Sequence, residues 1–420
     1  MTPASLFLGY TCSLCGTQYA PHEVVYVCPR DGGNLDVNLD LAAIRRSPFQ
    51  PVTSATREPS LWRYLPLLPV ADPGGNGTPL RAAGWTPLFA PPQLARQLGL
   101  PRLWIKDEGR NPTASFKDRA SAVVVARAKE INAPVLVTAS TGNAGAALAG
   151  MAAAVGMRSV IFAPRTAPPA KVAQLLVYGA QVILVDGNYD SAFDLTVQAA
   201  QEYGWYCRNT GYNPFTVEGK KTAAYEIWET VYPHLNGVRR PLCIFVSVGD
   251  GNIISGIHKG FKDLQALGWL EQMPRLFGVQ SEGSAAIANA WKARSETIQP
   301  VESHTLADSI SVDLPRDGIR AVRAAQQTGG AYLKVSDETI LKAIPALGSA
   351  GIFAEPAGAA AYAGLISALD QGIVDAEDPI LVINTGSGLK DVKAAMQSVR
   401  PAPIIEPTLS ALRKHLEETR

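Results

Sequence analysis

From Leu103 onward, short apolar runs alternate with longer segments whose apolar residues recur at helical spacing. The apolar runs predict strands at 134–138, 159–163, 181–185, 242–248, 276–280 and 380–383. Each run is apolar on both faces, as expected for parallel strands buried between helices. Between them, the spacing predicts helices over 167–178 and 191–203. The alternation therefore predicts an α/β fold with parallel sheets.

The first forty residues have a different pattern, with Cys12 and Cys15 in one turn and Cys28 in a second. Two cysteine turns joined by short strands are typical of a zinc ribbon, which needs four ligands. Here Asp31 stands in the fourth position, and His22 is near in sequence. We favour a degenerate ribbon that its own packing holds without a metal. Cys12, Cys15, Cys28 and Asp31 are the candidate ligands if zinc binds.

Composition narrows the class of protein. The 420 residues contain 38 Lys and Arg against 37 Asp and Glu, so the formal net charge is +1. This balance argues against a nucleic-acid binder. No apolar run reaches the roughly 18 residues of a membrane span, and the N-terminus lacks the pattern of a secretory signal. Five cysteines are few and odd in number, which indicates a reducing cytoplasm.

Lys117 is the strongest candidate for chemistry. It follows an Asn-Pro-Thr turn at 111–113 and lies in the first turn of a predicted helix, with Ser115 as a plausible N-cap. We expect the positive end of the helix dipole and Arg119 to lower the pKa of its amine. Such an amine can attack an aldehyde. Taken alone, an ordinary surface lysine explains the position equally well.

Three further segments place polar groups where strands end. Segment 138–145 brings hydroxyls and an amide to a helix start, and 246–256 contains a glycine loop that suits a phosphate. We expect the carboxylate of Asp250 to point away from this loop or to cap its turn. Segment 383–391 adds hydroxyls after the last strand. A lysine amine, two anion sites and a hydroxyl together suit pyridoxal phosphate.

Six segments then resemble pyridoxal-phosphate enzymes of the tryptophan-synthase-β type (fold type II), and within these the threonine synthases. In the family's order they are 111–119, 139–143, 218–222, 249–252, 355–358 and 384–391. The resemblance covers roughly the whole chain and includes the ribbon-like N-terminus. It implies conversion of O-phospho-L-homoserine and water to L-threonine and phosphate, and a homodimer.

The resemblance also implies a role for each matching residue. Lys117 would bind the cofactor covalently and move protons, beside Phe116. Asn143 would contact the 3′ oxygen of the cofactor, and Thr385 its ring nitrogen. The cofactor phosphate would lie on the loop that contains Gly249, Asp250, Gly251, Asn252 and Ile253. The substrate would be held by Ser140, Thr141 and Asn143.

The chain departs from the family where the substrate phosphate should bind. Thr216 stands where many threonine synthases have an arginine, and Lys220, Lys221 or Arg165 would have to compensate. Ala114 replaces a common glycine, and we expect it to narrow the pocket. An ammonia-lyase for serine or threonine, or a β-replacement enzyme such as a cysteate or cysteine synthase, therefore remains an alternative. A binding protein without catalysis is a third, which Lys117 disfavours.

We expect a small domain inserted into a large one, with the cofactor between them and closure over the substrate. The predicted segments are a ribbon at 1–40, the large domain at 41–125 and 215–400, the small domain at 126–214 and a C-terminal helix at 401–420. Leu409, Leu412 and Leu416 fall at helical spacing, which predicts that this last helix packs on the core. Glu355 would either position groups near the cofactor or cap a helix. The polar segments 308–312 and 315–318 suggest a loop near the site.

Overall fold

The computed structural model describes residues 6–47, 49, 58–140, 142–167 and 169–418. A three-stranded sheet comes first, with β1 (Phe7–Cys12) between the antiparallel strands β2 (Gln18–Tyr19) and β3 (Leu35–Leu39). Helix α1 (Leu41–Arg46) follows it. We call residues 6–39 the N-terminal ribbon.

Two larger sheets form the rest of the molecule. After the ribbon and α1, the next strands and α-helices along the chain are β4 (Leu88–Phe89), α2 (Pro92–Leu98), β5 (Leu103–Asp107) and α3 (Lys117–Glu130). A four-stranded parallel sheet in the order β8-β7-β6-β9 follows, which with its helices we call the four-stranded unit. Its elements are β6 (Leu136–Ala139), α4 (Asn143–Ala153), β7 (Ser159–Pro164), α5 (Pro169–Val177), β8 (Gln181–Val185), α6 (Tyr189–Tyr203) and β9 (Tyr206–Cys207).

The chain then returns to complete a six-stranded sheet in the order β12-β11-β10-β13-β5-β4, parallel except for the β4–β5 pair. With its helices this is the six-stranded unit. Its later elements are α7 (Phe215–Val231), β10 (Cys243–Ser247), α8 (Asn252–Ala266), β11 (Arg275–Ser281), α9 (Ala286–Lys292), α10 (Gly318–Gln327), β12 (Ala331–Val335), α11 (Asp337–Ser349), α12 (Pro356–Asp370), β13 (Ile380–Asn384) and α13 (Val392–Gln397). Among the described residues, no helix is both long and apolar enough to cross a bilayer.

The six predicted strands are all present as β6, β7, β8, β10, β11 and β13, with ends that differ by one or two residues at most. Both predicted helices are present as α5 and α6. The α/β fold with parallel sheets is therefore confirmed. The predicted division into a large domain and an inserted small domain stays a prediction; the four-stranded sheet lies within residues 136–207.

The expectation that the C-terminal helix packs on the core is wrong. Helix α14 (Leu409–Glu418) buries none of its residues, and Leu409 is 72% exposed. The segment before it is exposed as well, with Ile404 at 99%. Apolar spacing shows which residues share a helix face, but it does not show that the preceding chain carries this face to the core.

The N-terminal ribbon contacts both units. On the six-stranded unit, Arg320 Nη1 donates to Asp36 Oδ1 at 2.8 Å, and Lys259 Nζ donates to Val37 O at 2.9 Å. On the four-stranded unit, the Cys207 N–H in β9 donates to the Tyr26 hydroxyl oxygen at 2.9 Å. The ribbon thus lies across the junction of the two units.

Helices α3, α7 and α8 approach each other closely in the core. A Cβ atom at Gly219 would lie 2.1 Å from Arg119 O, so only glycine permits this contact between α7 and α3. The packing also brings the first residue of α3, Lys117, to the same end of the unit as the start of α8 at Asn252.

A buried cluster of charges fixes α3 against α7 and β5. Arg119 Nη1 donates to Glu226 Oε1 at 2.5 Å and its Nε donates to Glu108 Oε2 at 2.7 Å, while Lys106 Nζ donates to Glu226 Oε2 at 2.7 Å. All four side chains are buried. Burial alone would raise the pKa of Glu226, but Arg119 and Lys106 outweigh it and lower that pKa from 4.5 to about 2. The cluster therefore holds two opposite pairs of charges.

Candidate active site

A cavity of about 470 Å³ lies between the two units. The carboxyl ends of β6, β10 and β13 point towards it, and the residue that follows each strand lines it: Ser140, Val248 and Thr385. The first residues of α3, α4 and α8 line it too. Parallel strands and helix N-termini direct unpaired N–H groups and loop side chains towards such a cavity, which is where α/β proteins bind ligands.

Lys117 lines this cavity as the first residue of α3. The expected N-cap at Ser115 is wrong: the cap position is Phe116, whose helical backbone offers no side-chain cap. The reason is a tertiary contact, because the Phe116 N–H donates to Thr385 O at 2.9 Å. This bond joins the residue before Lys117 to the loop after β13.

The pKa of Lys117 is lowered, first by burial and then by the positive charge of Arg208. Glu355 and Asp250 act in the opposite direction. The expectation that Arg119 lowers this pKa is wrong, since the Arg119 guanidinium is neutralised in the buried cluster. A lysine with a lowered pKa keeps a nucleophilic amine near neutral pH.

The glycine loop forms an anion site at the start of α8. Gly251 has a φ of +91° and lets the chain turn into the helix. The first bonded helical N–H is that of Ser255, to Gly251 O at 3.1 Å, which leaves the N–H groups of Asn252, Ile253 and Ile254 without helical partners. All three residues line the cavity.

Asp250 does not face away from this loop, contrary to expectation. It lines the cavity, and its Oδ1 accepts a hydrogen bond from the backbone N–H of Arg316 at 3.3 Å. Burial raises its pKa, while Lys117, Lys220 and Arg316 act to lower it. Its carboxylate thus interacts electrostatically with both lysines, and it makes no cap bond to α8.

Asn143 and Glu355 both line the cavity and form a hydrogen-bonded pair. Asn143 Nδ2 donates to Glu355 Oε1 at 2.7 Å, and it also lies 3.3 Å from Ser309 Oγ. Of the two roles considered for Glu355, capping is absent, because its side chain makes no cap bond to α12. Burial raises the pKa of Glu355. In the described part of the chain, Asn143 Oδ1 has no hydrogen-bond partner.

The other expected site residues divide into three groups. Ser140 and Thr385 line the cavity with Gly249. Phe116 is fully buried and does not line it. Thr141 lies outside the described residues.

Arg208 was not among the residues predicted for the site. It follows β9, is fully buried, and donates from Nη1 to Thr210 Oγ1 at 2.5 Å. Its Nη2 has no partner among the described residues. Its position in the sequence, directly after a buried strand, could have indicated it. The carboxyl ends of parallel strands meet at one edge of the sheet, where ligands bind.

These groups fit pyridoxal phosphate. The cavity contains a lysine amine of lowered pKa, unpaired N–H groups at the start of α8 for a phosphate, the hydroxyl of Thr385 and the unpaired oxygen of Asn143. The candidate ligands of the ribbon, Cys12, Cys15, Cys28 and Asp31, lie elsewhere and form a cluster of their own.

Known proteins similar to this chain agree with that fit. Residues 80–386 match the family model described as "Pyridoxal-phosphate dependent enzyme". The threonine synthase of Methanocaldococcus jannaschii is 37% identical over 97% of this chain and 99% of its own length. The threonine synthase of Synechocystis is 36% identical over 84% of this chain and 88% of its own length.

Solved structures show the same fold at lower identity. A processed threonine deaminase isoform from Solanum lycopersicum is 21% identical, with a TM-score of 0.64 over 83% of this chain and 95% of that one. A maize serine racemase is 24% identical, with a TM-score of 0.64 over 80% of this chain and 93% of that one. The sequence relatives are the more specific finding. This chain belongs to the pyridoxal-phosphate dependent enzymes, and within them to the threonine synthase family.

Proposed function

We propose that this enzyme converts O-phospho-L-homoserine and water into L-threonine and phosphate. The observation that carries the proposal is that a lysine other than Lys117, Lys220, also lines the cavity. It is a possible phosphate ligand in addition to the N–H groups at the start of α8. The cofactor needs one phosphate site. A substrate that carries its own phosphate needs another.

Of the three cations considered as replacements for the family's arginine, Lys220 is supported by its position. Lys221 is bound by Glu218 at 2.6 Å and by Asp263 at 2.9 Å, and it does not line the cavity. The Arg165 side chain is 71% exposed and lies 3.4 Å from Asp186. Lys220 lines the cavity, and its Nζ donates to Asn252 Oδ1 at 2.5 Å.

The charge of Lys220 suits a dianion. Its pKa is lowered first by burial and then by the positive charges of Lys117 and Arg208, while Asp250 and Asp317 act in the opposite direction. A phosphate beside Lys220 would restore the favoured charged form of the amine. Arg208 does not line the cavity, but its positive charge acts on both Lys117 and Lys220.

Thr216 does not take the part of the arginine. Its hydroxyl is buried, donates to Asn213 O at 2.7 Å and lies 3.3 Å from Asn252 Oδ1. It therefore supports the asparagine that Lys220 contacts. Lys220 lies one helical turn after position 216 in α7, so in this chain it would supply the positive charge that an arginine at 216 supplies in the family.

When bound, pyridoxal phosphate withdraws electrons from the substrate and makes the protons at Cα and Cβ acidic. Asn252 and Ile253 would hold the cofactor phosphate, and the neutral Thr385 hydroxyl would meet its ring nitrogen. Ser140 would orient the substrate carboxylate.

Lys117, which lines the cavity, would move the protons. Its amine would remove the proton at Cα and then the proton at Cβ. Phosphate leaves from Cγ towards Lys220, and Cγ takes a proton. Water then adds its oxygen to Cβ, and a proton returns to Cα to give threonine.

The test is to supply the cofactor-loaded protein with O-phospho-L-homoserine and to measure phosphate and threonine together. L-serine and L-threonine are assayed in parallel for 2-oxo acid formation. Equal amounts of phosphate and threonine are expected. Formation of 2-oxo acid without phosphate release would overturn the proposal in favour of an ammonia-lyase.

Two variants identify the residues. Lys117→Ala should lose the visible absorption of lysine-bound cofactor and all turnover. Lys220→Ala should keep that absorption but lower kcat/KM for the phosphorylated substrate by about 10- to 150-fold, since a charged hydrogen bond contributes roughly 1.5–3 kcal/mol. Arg165→Ala is the control and should behave like the unchanged enzyme. An unchanged kcat/KM in Lys220→Ala would exclude this lysine from phosphate binding.

We also propose a cytoplasmic homodimer. All five cysteines are free, which suits a reducing compartment. The dimer rests on the resemblance to the family. Light scattering of the purified enzyme should give twice the mass of one chain.

A further inference from the structure

The N-terminal ribbon contains two turns with the same hydrogen bonds. In residues 12–17, the Cys12 N–H donates to Thr17 O at 2.9 Å and the Gly16 N–H donates to Cys12 O at 3.1 Å. Residues 28–33 repeat both bonds at 2.9 Å each. The two turns are therefore copies of one backbone conformation.

This repetition makes Asp31 the equivalent of Cys15. Each is the third residue after the cysteine that opens its turn, and each is followed by a glycine in the left-handed region, with φ of +70° at Gly16 and +71° at Gly32. The second turn thus presents a carboxylate where the first presents a thiol. A ribbon with four ligand positions is complete in this chain, although its sequence lacks a second Cys-x-x-Cys.

The distances agree with a tetrahedral metal site. A metal with sulfur ligands at about 2.3 Å separates two sulfurs by about 3.8 Å, and a sulfur from an oxygen by about 3.6 Å. The Sγ atoms of Cys15 and Cys28 are 3.8 Å apart. Cys12 Sγ lies 3.3 Å and 3.6 Å from the two oxygens of Asp31. All four ligand atoms lie within 4.8 Å of one another.

Neighbouring groups orient these ligands. The Gly33 N–H donates to Asp31 Oδ1 at 2.9 Å, and the Leu14 N–H donates to Cys12 Sγ at 3.3 Å. A Cβ atom at Gly33 would lie 2.6 Å from Cys12 Sγ and 3.0 Å from Asp31 Oδ1, so glycine is needed for sulfur and carboxylate to converge. N–H donors to ligand atoms are the usual outer support of a metal site.

We propose that Cys12, Cys15, Cys28 and Asp31 bind one Zn²⁺ per chain. This reverses the interpretation favoured from the sequence, in which the ribbon held no metal, because the folded chain brings the ligand atoms of all four residues within 4.8 Å of one another. Three thiolates and a carboxylate favour zinc among the common divalent ions. Four protein ligands leave no open position, so the ion stabilises the ribbon and takes no part in the reaction.

The test measures zinc in the full-length enzyme, purified without a histidine tag and without added metal. One equivalent per chain is expected by mass spectrometry of the metal content. A strong chelator should remove it and lower Tm, and added ZnCl₂ should restore both. The ion and the cofactor are independent, so the visible absorption of the cofactor serves only to show that the fold is intact.

Variants distinguish a site from loose binding. Cys28→Ser should retain less than a tenth of the zinc, whereas Asp31→Cys should keep one equivalent and resist the chelator better. His22→Ala changes an exposed residue outside the cluster and should have full zinc. Metal-free enzyme with reactive thiols would overturn the proposal. So would a mass two hydrogens lower, which indicates a Cys15–Cys28 disulfide.

Discussion

At the scale of single residues, Ala114 shows how a change within a motif acts through the backbone. Its φ is +66°, in the left-handed region, and its carbonyl accepts the Ser387 N–H at 3.1 Å. It does not line the cavity, so the expectation that it narrows the pocket is wrong. The glycine common at this position in the family is explained by the conformation of the turn rather than by space for the substrate.

Ala114→Gly should therefore stabilise the enzyme. The left-handed conformation costs an alanine about 1–2 kcal/mol, and glycine gives back about 0.5–1 kcal/mol through the greater freedom of the unfolded chain. We expect a net gain of up to about 1 kcal/mol in the free energy of unfolding. Denaturant unfolding measures it, with unchanged kcat/KM as the companion result; a lower midpoint would show that the turn is not strained.

Individual site residues were predictable where they follow a strand or begin a helix. Lys117, Asn143, Asn252 and Thr385 share one cavity for that reason. The bond between Asn143 and Glu355 was not predictable, because 212 residues separate its partners and nothing local indicates the contact. Burial of a polar side chain and its partner are set together by the packed structure.

At the scale of elements, the buried cluster of Arg119, Glu226, Glu108 and Lys106 joins α3, α7 and β5. Glu226→Gln would leave one positive charge in excess in a region closed to water. Breaking a buried pair in this way costs about 3–5 kcal/mol, far more than a surface pair contributes. We expect that loss in thermal or denaturant unfolding. The exposed pair of Lys342 and Glu338 provides the control, and Glu338→Gln should have almost no effect.

The same carboxylate gives a pH dependence. The pKa of Glu226 is lower in the folded protein, about 2 instead of 4.5, so its stabilising contribution is complete above pH 4.5 and is lost as the pH falls towards 2. Acid unfolding of the unchanged enzyme should therefore steepen in this range, and Glu226→Gln should flatten it. Parallel acid profiles for the two proteins would contradict the assignment.

Strands were predictable from the sequence where their buried residues are apolar. Five of the six predicted strands are buried almost throughout and are recognisable as apolar runs, whereas β8 lies at the edge of its sheet and is apolar in sequence but only partly buried. Strand β5 was not among the predicted strands, because Lys106 and Asp107 interrupt its apolar pattern and are buried through ion pairs and hydrogen bonds. Strand β12 is at the edge of its sheet and exposes Lys334, which breaks the apolar run.

At the scale of the whole molecule, polar contacts connect the two units around the cavity. Arg316 Nη2 donates to Asp190 Oδ1 at 2.7 Å, and its guanidinium lies 4.6 Å from the centre of the Phe193 ring. Lys171 forms an ion pair with Asp308, and Lys390 Nζ donates to Gln174 Oε1 at 2.8 Å. The described conformation is thus one in which the units hold each other over the site.

Arg316→Ala should weaken this closed arrangement. The lost ion pair and ring contact together contribute about 1–2 kcal/mol, which corresponds to a 5- to 30-fold shift towards an open arrangement. We expect KM for the substrate to rise within that range, with a smaller change in kcat. Steady-state kinetics measures both, and Arg165→Ala, whose pair lies within the four-stranded unit, should leave both unchanged. A fall in kcat alone would argue against a role in closure.

The position of the N-terminal ribbon has a consequence for the order of folding. Asn34 Nδ2 donates to Arg316 O at 3.0 Å across 282 positions of the chain, and Arg323 Nη1 donates to Ser13 O across 310. Contacts so distant in sequence form slowly, and they form only when the later partner has left the ribosome. The ribbon precedes these partners in the chain, and it is therefore among the last parts of the protein to reach its place. Until the later helices are synthesised, the apolar ribbon residues that pack against them, such as Phe7 against Phe215, remain exposed.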